Sequence, residues 1–274
     1  LQHGANSFIL SPVVHASGLG ITPLLYLDIC GGTMRLLSVS YPDPARNLAL
    51  DELLLEGVAD SSMTDTLRFW ECPIPFIAIG SSQSVAEVVD EAACQRDGVP
   101  ILRRCSAGGA VLQGPGSFNF AFALSYERYP ETAALHGSYA FLLDKVAQAL
   151  KLLGIDAARQ GVSDLAVEGM KCSGNAQRRK RNACLHHGSL LYQVSMEAME
   201  RYLPEPGDRP EYRGARVHKE FVRPVSVTPA LLADALRRVF CPAASPSQLS
   251  AAEEQEVSQL AREKYSARAW NYRR

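Results

Sequence analysis

Apolar positions recur along this chain in two periods, and the switches between them lay out its elements. Met34 to Leu55 (MRLLSVSYPDPARNLALDELLL) reads as a strand, a turn and a helix. From Asn47 to Gly57 the apolar residues fall at 48, 50, 53, 54 and 55, a helical stripe with Asp51 and Glu52 outside it. LRF (67–69) and PFIAIG (75–80) read as short strands, VAEVVDEAAC (85–94) as helical, and VPILRR (99–104) as a strand entering a Gly-rich turn. AVLQ (110–113) and FNFAFAL (118–124) are strands, the second with Phe118, Phe120 and Phe122 on one side. Residues 138–153 form an amphipathic helix with Leu142, Leu143, Val146, Leu150 and Leu153 on one face, closed by Gly154. DLAVEGMKCSG (164–174) is a hairpin turning at Glu168-Gly169, and LHHGSLLYQV (185–194) is a further strand. Helices follow at about 195–203, 229–240 and 251–266. Thr228-Pro229 and the Ser250/Glu253 capping box mark two of their starts. EPGDRPEYRGARVHKE (205–220) reads as a long surface loop.

Short, hairpin-linked strands interspersed with helices, without a regular strand-helix-strand repeat, predict an α+β fold with mostly antiparallel sheet. Residues 1–33 contain no Lys or Arg and stand apart in pattern. They are read as a non-native or disordered extension, with Met34 as the natural start and residues 34–274 as one catalytic domain. The alternative is an ordered extension.

Composition narrows the classes. The 274 residues are 47% hydrophobic and 21% charged, as in a globular protein with a real core. With 28 Lys+Arg against 29 Asp+Glu, bulk charge gives no hold on nucleic acid or an anionic membrane. No apolar run reaches the ~18 residues of a membrane span. Seven cysteines, with no Cys-x-x-Cys pair, suit reduced thiols in a cytoplasm better than a disulfide scaffold.

Two segments carry candidate chemistry. In RRCSAGGAVLQGPG (103–116) a strand ends in two arginines and a turn of small residues. Gly108 and Gly109 lack a Cβ, so backbone N–H groups can approach an anion closely. Arg103 and Arg104 alternate in direction, so one of them faces a site. The segment is not a P-loop, because no Gly-Lys-Ser/Thr follows. In SDLAVEGMKCSGNAQRRKR (163–181) Lys171 sits just past a tight turn beside Ser173-Gly174-Asn175, and RRKR (178–181) reads either as an exposed hairpin tip or as a basic run that meets an acidic partner. His186 and His187 point to opposite strand faces, which argues against a two-His metal site.

Taken together, seven ordered landmarks resemble one family, the lipoate–protein ligase A and octanoyltransferase family. They are NLALDELLL (47–55), LRFWECPIPFIAIGSSQ (67–83), RRCSAGGAV (103–111), NFAF (119–122), DLAVEGMKCSGNAQRR (164–179), HHGSLL (186–191) and KYSARAWNYRR (264–274). The resemblance implies a single biotin/lipoate-ligase-like catalytic domain, with mixed sheets flanked by helices. It implies Lys171 as the essential lysine. It places Arg104, Gly108, Gly109, Ala110, Val111 and Leu112 in the ATP and acyl-adenylate segment, with Arg104 forking two phosphate oxygens. Gly174 and Asn175, and more weakly His187, would line the lipoyl subsite. ATP brings Mg2+, for which Asp164 is the candidate, although no dedicated metal motif is present.

The main reading is an ATP-dependent ligase. It would activate lipoate or octanoate as an acyl-adenylate and transfer it to a lysine of an acceptor lipoyl domain. The acceptor would be a 2-oxoacid dehydrogenase subunit, a glycine-cleavage carrier or a lipoate-binding protein. The chain would act alone or with an accessory chain. The alternative is an octanoyltransferase taking octanoyl from acyl carrier protein through a cysteine thioester, with Cys184 and Cys241 the downstream candidates. Asp156 to Met170, where one transferase type places its nucleophile, contains no Cys. The family pattern also departs at two places. Ala107-Gly108-Gly109 stands for Gly-Gly-Gly, and Leu112-Gln113-Gly114 stands for an aromatic-His-Asp run.

Overall fold

The computed structural model describes residues 34–273; the reading of residues 1–33 lies outside them. Eleven strands are formed: β1 (Arg35–Ser38), β2 (Thr66–Trp70), β3 (Phe76–Ile79), β4 (Ile101–Arg103), β5 (Val111–Gln113), β6 (Ser117–Ser125), β7 (Ala158–Gln160), β8 (Asp164–Val167), β9 (Met170–Arg179), β10 (Ala183–Leu191) and β11 (Pro246–Ser247). The helices are α1 (Pro44–Ala59), α2 (Val85–Val88), α3 (Glu91–Asp97), α4 (Leu135–Leu152), α5 (Met196–Tyr202), α6 (His218–Phe221), α7 (Pro229–Phe240), α8 (Ala251–Leu260) and α9 (Arg268–Asn271). Among these described residues no helix is long and apolar enough to cross a membrane.

Eight strands make one sheet in the order β11-β1-β2-β6-β10-β9-β8-β7, and β4-β3-β5 make a second. The fold is α+β, as the interspersed pattern predicts. The long ladder from β2 through β6, β10, β9 and β8 is antiparallel, while β11-β1-β2 and β3-β4 pair in parallel.

The alternation in FNFAFAL decides how the large sheet is covered. Phe118, Phe120 and Phe122 lie on one face, in a core closed by α4 and α7. On the other face Ala121 and Ala123, with Ala183 and Leu185 of β10, leave room for α1 to lie close. Asp51 and Glu52 sit off the apolar stripe of α1, yet both are buried, because the helix is covered on that side too. Glu52 is held by Lys264 Nζ at 2.7 Å and by the Tyr265 hydroxyl at 2.8 Å.

Local signals behave as their chemistry requires. Asp43 caps α1 ahead of Pro44, Thr228 caps α7 ahead of Pro229, and Ser250 with Glu253 forms the capping box of α8. The β8-β9 hairpin turns at Glu168 and Gly169, with φ of 52° and 74°, the left-handed pair of a tight hairpin. VAEVVDEAAC breaks into α2 and α3 because Asp90 caps a new helix, accepting from the Ala93 amide at 2.8 Å. The 205–220 segment is not simply a surface loop. Arg213 and His218 are buried, and Arg213 pairs with Glu205 at 2.6 Å.

Arg103 is fully buried and serves as a joint. Its Nε donates to the Trp270 carbonyl (3.0 Å) and its Nη2 to the Asn271 carbonyl (2.9 Å). The Trp270 indole returns a bond to the Arg103 carbonyl at 2.8 Å. The first arginine of the pair therefore ties α9 to the small sheet.

Candidate active site

A cleft opens where the small sheet and its Gly-rich turn face the large sheet. Its floor is two neighbouring cross-strand rows on the alanine face. One runs Trp70, Asn119, Ser189, Gly174, Asp164; the next runs Arg68, Ala121, His187, Ala176. The opposing wall is the turn 108–111 with Gln113.

Lys171 reaches this cleft through a break in alternation. Gly174 pairs with Asp164 and Ser173 with Leu165, but the register then slips, so that Lys171 pairs with Ala166. Cys172 is the extra residue of a β-bulge, and the bulge turns Lys171 to the same side as Gly174. Lys171 Nζ then pairs with Asp164 Oδ1 at 2.8 Å. The other carboxylate oxygen accepts from the Tyr212 hydroxyl at 2.8 Å. Gly174 leaves room for this arrangement, since a Cβ there would stand 3.0 Å from both Cε and Nζ of Lys171 and the lysine would have to shift by a few tenths of an ångström. Asp164 is thus occupied by Lys171 and Tyr212, and no group of three or more metal-ligating side chains occurs among the described residues.

A second chain of polar groups runs beneath the cleft. Arg68 and Asp51, both fully buried, pair at 2.5 Å. Arg68 also donates to the carbonyls of Asn47 (2.7 Å) and Val39 (3.0 Å), so its charge is well solvated by the protein. Asp51 Oδ2 accepts a hydrogen bond from His187 Nδ1 at 3.0 Å, and His187 Nε2 lies 2.6 Å from Ser106 Oγ. Arg104 Nε donates to the same Ser106 oxygen at 3.0 Å. The order of atoms is that of a Ser-His-Asp relay, but Ser106 has no exposed surface and does not border the cleft. Its role is to join the turn to the sheet.

Arg104 borders the cleft but does not present a fork to a ligand. Beyond Ser106, its Nη1 donates to the Ala78 carbonyl (3.1 Å) and its Nη2 to the carbonyls of Ala107 (2.8 Å) and Gly109 (2.9 Å). Burial brings its pKa down to about 10, which still leaves it cationic at neutral pH. It shapes the turn, and Gly108 (φ 99°) supplies the left-handed step that wraps the backbone around it.

Of the sequence-derived residues, Arg104, Gly108, Gly109, Ala110, Val111, Asp164, Lys171, Gly174, Asn175 and His187 all border the cleft. Leu112 does not. It alternates away from Gln113 and packs with Ile77 and Ile79 in the core of the small sheet. The polar and aromatic residues missed include Asp51, Trp70, Gln113, Asn119 and Ser189, and the apolar wall residues Leu48 and Ala176 were missed as well. A signal existed for one group, the charged Arg68 inside a strand that is buried throughout, which demands a buried partner.

The cysteine candidates lie elsewhere. The six described cysteines are buried, and none borders the cleft. Cys184 and Cys172 point into the phenylalanine face. Burial pushes the Cys172 thiol up to about 12 and raises that of Cys184, the opposite of an activated nucleophile. The cysteine thioester step therefore has no thiol at this site among the described residues.

Residues 43–229 match the family model described as lipoyl protein ligase A/B catalytic domain. The chain is 27% identical over 274 residues to octanoyltransferase LipM of Geobacillus kaustophilus, covering 88% of this chain and 98% of that protein. It is 27% identical over 243 residues to lipoate-protein ligase LplJ of Bacillus subtilis, covering 85% of this chain and 71% of that one. A bi-partite lipoate protein ligase from Thermoplasma acidophilum superposes with a TM-score of 0.76 at 24% identity, over 88% of this chain and 96% of that one. Further relatives carry the octanoyltransferase name and align over 99% of their length. The preponderance of transferases among the relatives corrects the reading of this chain as an ATP-dependent ligase.

Proposed function

The chain belongs to the lipoyl protein ligase A/B catalytic domain family, and from that premise we propose that it transfers an octanoyl group from a thioester donor to the lysine ε-amine of a lipoyl acceptor domain. The observation that carries this reading is the near full-length alignment with octanoyltransferases, combined with a cleft that holds one lysine and no thiol.

The cleft's own groups suit transfer in a single step. The acceptor amine attacks the thioester carbonyl carbon, a C–N bond forms and the C–S bond breaks. The proton lost by the amine ends on the departing sulfur, so amide and free thiol are the products. Charge builds on the carbonyl oxygen during attack. Lys171, fixed by Asp164, presents a cation in a partly buried site where it acts more strongly than in water. Asp164 is itself held by Tyr212, so the ammonium is placed before substrate arrives. Ala176, Ala110, Val111 and Leu48 give the cleft apolar wall for an acyl chain.

The test is to mix the protein with an octanoyl thioester and a lipoyl acceptor domain, with no nucleotide present, and read the acceptor's intact mass. The reading expects one octanoyl amide per acceptor lysine. An acceptor left unmodified by the thioester contradicts it.

A further inference from the structure

A second cavity, of about 240 Å³, opens on the phenylalanine face of the large sheet, the face opposite the cleft. Among the described residues it shares no lining with the cleft. Met34, just ahead of β1, and Leu124 of β6 line it from the sheet. Phe141 and Leu142 of α4 and Phe240, the last residue of α7, line it from the helices. Its lining is held in place, since the Phe240 ring packs 4.3 Å from that of Phe122. An apolar cavity of roughly 150 Å³ already takes benzene, so this one has room for an aromatic ring and a short chain.

Three charged side chains border the cavity, Arg128, Glu131 and Lys145. Arg128 pairs with Asp65, whose Oδ1 accepts from the Ser125 amide at 2.7 Å, so its charge is already answered. Glu131 is exposed, on the turn Pro130–Thr132, where water and salt screen its carboxylate. Lys145 is half-buried, one helical turn past Phe141. Its Nζ stands 5.3 Å from the Phe141 ring centre and 5.9 Å from that of Phe240, so the rings hold the ammonium against the cavity. It forms no ion pair with any described carboxylate. A ring face attracts the ammonium but does not replace an oxygen acceptor for its three N–H bonds. Lys145 therefore keeps donors available to a ligand, in a setting where charge acts more strongly than in water.

Apolar walls with one available ammonium are the complement of an apolar group that ends in a single anion. We propose that this cavity binds a small apolar monocarboxylate, its hydrocarbon part among Leu124, Phe141 and Phe240 and its carboxylate on Lys145. The site lies across the sheet from the cleft and does not depend on the acyl-transfer reading.

The experiment titrates the full chain with three ligands that share one aryl chain and differ in the head: 3-phenylpropionate, 3-phenylpropanol and 3-phenylpropylamine. Calorimetry gives the affinities. Labelling the methionine methyls gives the place, because Met34 is the only one of the five methionines that lines the cavity. Its resonance is assigned by its loss in Met34→Leu. The carboxylate is expected to bind about tenfold tighter than the alcohol, with the amine weakest, and to shift the Met34 resonance. Lys145→Met should bring carboxylate and alcohol level, while Lys145→Arg, which keeps the charge, should preserve the difference. Should Lys145→Met fail to fold, the order of the three ligands and the Met34 shift decide alone. Equal affinities for carboxylate and alcohol, tightest binding by the amine, or a difference that survives Lys145→Met overturns the proposal. A Met34 resonance that stays in place overturns it too, since the carboxylate is then held elsewhere, as in the cleft, or not at all.

Discussion

The two faces of the β9-β10 hairpin carry neighbouring residues with opposite chemistry. Lys171 and His187 face the cleft, each tied to a carboxylate. Cys172 and His186, one position along or back, face the phenylalanine core. Burial lowers the His186 pKa to about 3 and raises the Cys172 thiol to about 12, so both stay uncharged at neutral pH. His186 Nδ1 accepts a hydrogen bond from Gln177 Nε2 at 3.0 Å, whereas His187 Nδ1 donates one to Asp51. The sheet separates a charged working face from a neutral packing face. A His, Lys or Cys is therefore functional here according to the face it occupies, not its type.

The comparison breaks first at its deepest charge. Arg68→Met strands Asp51 under the cleft and should cost about 3–5 kcal/mol, read by denaturant unfolding. The double variant Arg68→Met/Asp51→Leu should recover most of that loss while leaving His187 unanchored. Next, Lys171→Ala should lower acyl transfer by about 10²–10³-fold, with a thermal midpoint close to wild type, because the lysine is partly exposed and packs little. A large drop in stability with matching loss of activity would place Lys171 in the core's account instead.

The neutral face gives a pH signature. His186 remains unprotonated in the fold down to about 3, while in the unfolded chain it takes a proton near its ordinary 6.5. Between those values the unfolded state binds the extra proton, so stability falls as pH drops through 6.5, by about 2 kcal/mol at pH 5. Denaturant midpoints at pH 5 and pH 7.5 should differ accordingly, and His186→Gln should reduce the difference. The smallest effect belongs to Cys184→Ser, which should leave transfer within about twofold of wild type and cost about 1 kcal/mol of stability. Loss of transfer in that variant would move the chemistry to the packing face.

Most of the scaffold was legible in the sequence because its signals are local. Alternation in FNFAFAL, the caps at Thr228 and Ser250, and the Glu168-Gly169 turn each act within a few residues. The site was legible only in outline. Alternation also separates Leu112 from Gln113, but treating the turn as one block ending at Leu112 put Leu112 in the site and left Gln113 out. The side chosen by Lys171 depends on the bulge at Cys172, which interrupts the strand period and has no sequence mark of its own. Asp51 was hidden because a helical stripe identifies the apolar side and is silent about a second covered side. Its partners Arg68 and His187 stand 17 and 136 residues away, beyond the reach of any periodicity.

The most direct test follows free thiol during one time course with an octanoyl thioester, with and without a lipoyl acceptor domain. The account predicts thiol only when acceptor is present, one for each acceptor lysine acylated, and almost none from Lys171→Ala. A burst of thiol from the protein alone would show an acyl-enzyme and contradict single-step transfer on the cleft face. No thiol under either condition would contradict acyl transfer itself.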